Sequence, residues 1–227
     1  MLRKSAEIEV LIRVDGIALE GILGDPGGAQ AIVLFAHGSG SSRFSPRNQY
    51  VAKVLREHGL ATLLIDLLTR SEDQLYENRF NIDLLTERLG AVAQWLKSQL
   101  DLHDLPLGLF GASTGAASAL RLAARLGASI YAVVSRGGRP DLAEGFLSRV
   151  TAPTLLIVGG NDPVVLELNR RAYRELRAEK ELAIIPGATH LFEERGALEA
   201  VAGKAAAWFS EKLPLAHDPR ALIQAEH

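Results

Sequence analysis

The chain has 227 residues, 48 % of them apolar, and 25 Lys and Arg against 27 Asp and Glu give a formal charge of −2. This near-neutral balance argues against nucleic acid or an anionic membrane as a partner, and no apolar run approaches the roughly 18 residues of a membrane span. The lack of cysteine excludes disulfides and thiolate metal sites. The first nine residues lack the apolar core of a signal peptide. We therefore expect a soluble, cytoplasmic protein.

The N-terminal residues predict an antiparallel β-hairpin. Residues 7–14 and 17–23 alternate apolar and polar side chains and flank Asp15-Gly16, a dipeptide typical of tight hairpin turns. A second turn follows at residues 25–28. The sequence thus opens on two paired strands rather than on a helix.

Strands and helices then alternate along the chain. Continuous Leu, Ile and Val runs predict strands buried on both faces, hence a mostly parallel central sheet with helices on both faces. The fold class is α/β, with one domain over residues 1–213 and a C-terminal tail over 214–227. The predicted strands are 31–36, 60–65, 106–110, 130–134, 154–158 and 182–185, and the predicted helices are 47–58, 82–100, 114–126, 164–178 and 196–212.

A G-x-S-x-G pattern lies between the strand ending at 110 and the helix starting at 114. It reads Gly111-Ala112-Ser113-Thr114-Gly115. Small residues two positions either side of a serine suit a sharp strand-to-helix turn that projects the hydroxyl from the sheet edge. The pattern predicts a nucleophilic Ser113; the competing interpretation is a strand, turn and helix with a chance serine.

Two further residues complete a candidate catalytic triad. Asp162 and His190 each follow the end of a predicted strand, and the order serine, acid, histidine is one that supports acyl transfer. A serine hydroxyl needs an adjacent base, and the base needs an orienting carboxylate. Two alternatives remain open: Asp162 caps the helix that starts near 164, and His190 is a surface loop histidine.

The loop after the first parallel strand predicts an oxyanion hole. Acyl transfer builds negative charge on the carbonyl oxygen, and backbone N–H groups stabilise it. We expect the N–H groups of Thr114 and Ser39 as donors, with Gly40 as the neighbouring candidate. His37 is interpreted as a structural residue that braces this loop, because His190 already supplies the base.

Two polar segments are candidate walls of a substrate pocket. Residues 69–81 follow one strand end, and residues 136–149 lie where a lid is expected. Arginines near the strand ends suggest binding of an anionic substrate group, because guanidinium pairs bidentately with carboxylate or phosphate. The alternative is pairing with nearby acids such as Asp141 or Glu144. The candidate arginines are Arg43, Arg47, Arg136 and Arg139.

These stretches together resemble the α/β-hydrolase superfamily, and within it the dienelactone-hydrolase-like group. The resemblance covers roughly residues 5–213, and the segment Ser135-Arg-Gly-Gly-Arg-Pro-Asp141 resembles hydrolase domains fused to phosphoribosyltransferases in some bacteria. The namesake enzymes carry a cysteine nucleophile, where this chain has Ser113, which favours an ordinary serine esterase cycle. The other stretches that carry the resemblance are 37–43, 45–48, 111–115, 160–162 and 187–190.

The resulting expectation is a serine hydrolase of small carboxylic esters or lactones that works through an acyl-enzyme. Acyl transfer to another acceptor, perhydrolysis, and a non-catalytic scaffold on the same fold remain alternatives. No metal or organic cofactor is expected, since the six histidines form no i, i+4 pair or H-E-x-x-H motif. The oligomeric state and the natural substrate do not follow from the sequence.

Overall fold

A computed structural model describes residues 6–14 and 16–214. Eight strands form one sheet in the order β1-β2-β4-β3-β5-β6-β7-β8. The strands are β1 (Ala6–Val14), β2 (Ile17–Asp25), β3 (Ala31–Ala36), β4 (Leu60–Ile65), β5 (Leu107–Ala112), β6 (Ile130–Arg136), β7 (Thr154–Gly159) and β8 (Lys180–Ile185).

The first two strands pair antiparallel, and β2 also runs antiparallel to β4, while every pair from β4 to β8 is parallel. The predicted hairpin is confirmed, with Val14 opposite Ile17 and Gly16 at φ 81°. Asp15, the other turn residue, lies outside the described residues. The mostly parallel sheet with an N-terminal antiparallel hairpin is therefore the architecture of this chain.

Helices cover both faces of the sheet. They are α1 (Pro46–Glu57), α2 (Arg70–Asp73), α3 (Ile82–Ser98), α4 (Thr114–Leu126), α5 (Pro163–Glu175) and α6 (Ala197–Glu211). Alternate residues of each central strand point to opposite sides, so Leu34 and Leu109 pack with α3 and α4, whereas Phe35 and Phe110 pack with α1 and α6. Among the described residues, no helix combines the length and apolarity that crossing a bilayer requires.

The predicted elements are present with shifted ends. Strands β5 and β6 extend two residues further than predicted, to Ala112 and Arg136, so they reach the nucleophile turn itself. Helix α5 ends at Glu175 rather than 178, because Leu176 adopts an extended backbone (φ −58°, ψ 132°). The predicted tail over 214–227 falls, apart from Pro214, outside the described residues.

The segment expected as a lid is packed into the protein. Residues 136–149 contain two 3-10 turns, Pro140–Ala143 and Leu147–Arg149. Ala143 and Leu147 are buried in the core cluster that also contains α4. Burial of these apolar side chains fixes the segment as part of the scaffold behind the sheet edge.

Candidate active site

Ser113 occupies a strained turn between β5 and α4. Its backbone angles are φ 49° and ψ −121°, a conformation that residues with a side chain rarely adopt. Its N–H donates to the carbonyl of Arg136 (3.1 Å), and its own carbonyl accepts from the N–H groups of Ala116 (3.1 Å) and Arg139 (3.0 Å). The surrounding backbone therefore holds the serine at the carboxyl edge of the sheet.

Close packing explains the two glycines of the motif. A Cβ at Gly111 would lie 2.4 Å from Cα of Ala116, and one at Gly115 would lie 2.2 Å from the carbonyl oxygen of Ala36. Both distances are far below van der Waals contact, so no side chain fits at either position. Gly111 is thus required where β5 meets α4, and Gly115 where α4 passes the end of β3.

Asp162 and His190 lie together at the ends of β7 and β8. Oδ2 of Asp162 is 2.7 Å from Nδ1 of His190. The same carboxylate caps α5, because its Oδ1 accepts the N–H of Val165 (3.4 Å). The Asp162 carboxylate therefore caps α5 with one oxygen and contacts the imidazole of His190 with the other. With Nδ1–H directed at the carboxylate, Nε2 of His190 is left as the proton acceptor.

The two loops that carry these residues are joined by hydrogen bonds. Asn161 donates from its backbone N–H to the carbonyl of Ala188 and from its side chain to the carbonyl of Gly187, both at 2.9 Å. Gly159 lets the loops approach, since a Cβ there would lie 2.4 Å from the carbonyl oxygen of Ala188. The geometry of the acid and the base is thus fixed by backbone as well as by their own contact.

The His190 loop has supports that the sequence did not reveal. Glu194 accepts from the N–H and hydroxyl of Thr189 through Oε1 (3.1 and 2.6 Å), which lowers its pKa. Phe192 is buried at a positive φ of 57°. The run Thr189-His190-Leu191-Phe192-Glu193-Glu194 carries only a weak signal for these roles, an acid a few residues after the histidine.

Ser113 and His190 flank the same short stretch of chain. The Ser113 N–H bonds to Arg136, and the next residue, Gly137, lies against the imidazole: a Cβ at Gly137 would be 3.4 Å from Cε1 of His190. Among the described residues, neither Ser113 Oγ nor His190 Nε2 has a hydrogen-bond partner. Catalytic contacts are often loose without substrate and tighten in the complex.

The candidate oxyanion loop is tied to the nucleophile turn. The N–H of Ser39 donates to Oγ1 of Thr114 (2.8 Å), so this donor has an acceptor in the structure. Gly38 passes close to the serine, since a Cβ there would lie 3.0 Å from Cβ of Ser113. Gly40 has φ 68°. Loop and nucleophile are therefore adjacent, with the Thr114 hydroxyl between them.

Arg43 is a structural residue rather than a free cation. It is 9 % exposed, and its guanidinium pairs with Asp66 and, at 2.6 Å, with Glu20. Nε2 of His37 lies 3.5 Å from the same Asp66, and Nδ1 of His37 is 2.9 Å from the carbonyl oxygen of Gly38. This arrangement braces the loop after β3, and it leaves Arg43 no charge to offer an anion.

Arg139 and Arg47 also have acidic partners. Arg139 binds Asp141 bidentately (2.9 and 2.7 Å), and this hydrogen bonding raises the pKa of Arg139. For Arg139 the structure thus supports the alternative of pairing with Asp141. Arg47, in the first turn of α1, makes a long and solvent-exposed contact of 3.4 Å with Glu193.

Arg136 differs from the other three arginines. It is 8 % exposed, and within residues 6–14 and 16–214 its guanidinium makes no ion pair or hydrogen bond. Burial, reinforced by the positive charge of Arg47, lowers the pKa of Arg136 to about 10. A buried guanidinium with no counter-charge among the described residues therefore lies on β6, the strand that anchors Ser113.

Residues 69–81 line the cleft beside this edge of the sheet. Thr69, Arg70 and Asp73 face the loop after β3, and Arg79 reaches toward Gly40 while bound to Asp73 at 2.9 Å. In the described part of the chain, no three His, Asp or Glu side chains gather as a metal site. Parts of the segment 69–81 thus lie beside the loop after β3, and its role as a wall of the substrate pocket stays a prediction.

A family model described as an alpha/beta hydrolase domain matches residues 29–207. A solved structure of dienelactone hydrolase from Anabaena variabilis is 52 % identical, with a TM-score of 0.90, and the match covers 93 % of this chain and 100 % of that one. Est1E from Butyrivibrio proteoclasticus shares the fold at 20 % identity, with a TM-score of 0.78 over 90 % of this chain and 98 % of Est1E.

Curated relatives are longer than this chain. Two proteins from Mycobacterium tuberculosis strains, each provisionally named a phosphoribosyl transferase, are 54 % identical over 205 residues, which is 90 % of this chain and 46 % of each relative. The chain thus spans less than half the length of these relatives. Since the hydrolase model covers most of the sequence and the structure carries the corresponding sheet, the chain belongs to the alpha/beta hydrolase family.

Proposed function

We propose that the chain is a serine hydrolase that cleaves small carboxylic esters or lactones through Ser113, His190 and Asp162. The observation that carries the proposal is the 2.7 Å contact between Asp162 and Nδ1 of His190, at the sheet edge where Ser113 is held in a strained turn. Strain at an exposed nucleophile is a recurring feature of such sites.

In this proposal His190 Nε2 takes the proton of Ser113 as its oxygen attacks the acyl carbonyl. Asp162 keeps the imidazole in the correct tautomer and stabilises the imidazolium. The alcohol leaves with the proton from His190, and water then repeats the sequence on the acyl-enzyme. All three groups come from this chain.

The Thr114 N–H, at the start of α4, is the first proposed oxyanion donor. The second is the Ser39 N–H, which in the free protein donates to the Thr114 hydroxyl. An incoming oxyanion would replace that hydroxyl as the acceptor, at the cost of rotating one side chain. Gly40 is the alternative donor if the hydroxyl stays in place.

We do not propose phosphoribosyl transfer for this chain, although the longer relatives are named for it. The segment that they share with this chain is nearly the segment that the hydrolase model matches. We therefore assign phosphoribosyl transfer, if the relatives perform it, to the part of them that this chain does not span. Acyl transfer to an acceptor other than water, or perhydrolysis, would use the same triad and differs only in the second step.

Labelling with a fluorophosphonate probe tests the nucleophile. The wild-type protein should react, and Ser113→Ala should not, whereas Ser98→Ala, which removes an exposed hydroxyl from α3, should react normally. Turnover of 4-nitrophenyl acetate should fall by about 10⁴-fold or more in Ser113→Ala. Labelling that persists in Ser113→Ala would contradict the proposal, and added alcohols or peroxide would reveal a competing acceptor.

A further inference from the structure

We propose that Arg136 and Arg47 form an oxyanion subsite beside Ser113 that binds a carboxylate or phosphate group carried by the substrate. The inference rests on the proposed hydrolase function and refines its substrate class. It depends on the one buried arginine at this edge that has no acidic partner among the described residues.

The Arg136 guanidinium is buried and has no counter-charge among the described residues. Charged side chains that lose contact with water are normally paired or bind a ligand, because an unpaired buried charge is costly. Arg136 is buried, and its Nη1 has no partner within the described ranges. The three neighbouring arginines that also lie near strand ends each contact a carboxylate. Arg136 therefore has donors that an external oxyanion can satisfy.

Arg47 is the second residue of the proposed subsite. Its positive charge acts on the Arg136 guanidinium, so the two side chains lie within electrostatic reach of each other. Arg47 occupies the first turn of α1, a 12-residue helix whose N-terminus carries a partial positive charge. Nε of Arg47 is buried without a partner among the described residues, while its contact to Glu193 is long and exposed. Arg136 and Arg47 thus both carry guanidinium N–H groups that have no partner among the described residues.

Backbone and side-chain contacts connect Arg136 and Arg47 to the segments that carry Ser113 and His190. Arg136 ends β6, and its carbonyl holds the Ser113 N–H at 3.1 Å. Arg47 reaches Glu193, three residues after His190. An anionic group held between these arginines would lie next to both the nucleophile and the base loop. Bidentate pairing with guanidinium would orient the rest of the substrate toward Ser113.

Paired esters test the subsite through specificity. The carboxylate arm compares 4-nitrophenyl hemisuccinate with neutral 4-nitrophenyl butyrate, and the phosphate arm compares 4-acetoxyphenyl phosphate with 4-acetoxyanisole. In at least one arm, Arg136→Met should lower kcat/KM for the anionic ester about 10- to 100-fold more than for its neutral partner, since charge-assisted bonds are lost. Arg136→Lys should recover part of the difference. Arg139→Met is the matched control and should leave the preference unchanged.

A binding measurement separates this subsite from catalysis. Titration calorimetry on Ser113→Ala should detect binding of inorganic phosphate or of monomethyl succinate. Adding Arg136→Met or Arg47→Met to this protein should lower that affinity about tenfold or more. If no ester is hydrolysed but this Arg136-dependent binding persists, only the proposed function fails. Equal losses on neutral and anionic esters, together with no arginine-dependent binding of either anion, would overturn the subsite. Arg47→Met decides the question if Arg136→Met does not fold.

Discussion

The strained backbone of Ser113 predicts that glycine stabilises this position while alanine does not. At φ 49° and ψ −121° the Cβ of any side chain is crowded, and such conformations cost about 1–3 kcal/mol. Glycine removes this cost, but it makes the unfolded chain more flexible, which lowers the free energy of unfolding by about 0.4–1 kcal/mol. Ser113→Gly should therefore be more stable than Ser113→Ala by about 0.5–2 kcal/mol.

Urea denaturation of the two variants measures this difference directly. Both lack the hydroxyl, so both should be inactive and unlabelled by fluorophosphonate, and their comparison isolates the backbone term. Ala124→Gly, within α4, is the control for glycine in helical backbone, and its free energy of unfolding should fall by about 1 kcal/mol. A Ser113→Gly protein no more stable than Ser113→Ala would refute the idea that strain is stored at the nucleophile.

Three other substitutions follow from the site and its packing. Asp162→Asn should lower kcat about 10³- to 10⁴-fold, because the amide favours the wrong tautomer of His190; steady-state kinetics with unchanged folding by circular dichroism would check this. Gly115→Ala should lower the free energy of unfolding by more than about 3 kcal/mol or prevent folding, since its Cβ would overlap a carbonyl. The control is Gly203→Ala on α6, which has open space around it and should raise the free energy of unfolding by up to about 1 kcal/mol. Arg136→Met should raise the free energy of unfolding at pH 7 by up to about 3 kcal/mol, because burial penalises the charged form and lowers the pKa to about 10. The wild-type protein loses this penalty as the pH rises through 10, so the stability difference should shrink there; an Arg136→Met protein less stable than wild type at pH 7 would contradict the reasoning.

The sequence groups the three candidate triad residues at one sheet edge better than it predicts which charged side chains pair with one another. Ser113 and Asp162 follow strands buried on both faces, and His190 follows the half-exposed edge strand β8. Parallel strands bring their carboxyl ends to one edge, so residues distant in the chain could be grouped by their positions after predicted strands. The spacing of Gly111 and Gly115 predicts the nucleophile turn, because strand and helix meet within these five residues.

The arginines show where such reasoning stops. Arg43 pairs with Glu20 on β2 and with Asp66 just after β4, and neither acid carries a local pattern that marks it as a partner. The bond between Ser39 and Thr114 joins residues 75 positions apart. Pairing of Arg139 with Asp141 was foreseeable because the two are close in sequence. Side-chain partners across a sheet edge depend on rotamers and burial, which hydrophobic periodicity does not encode.

Asp162 divides its two oxygens between a structural and a chemical task, and this division has a consequence for redesign. Moving the acid to another strand, for example to the end of β6, would leave α5 without its N-terminal cap as well as the imidazole without its partner. A transplanted carboxylate would restore only the second. Any such relocation therefore needs Ser, Thr or Asn at 162 to start the helix, so that loss of activity is not confused with unravelling of the loop that carries it.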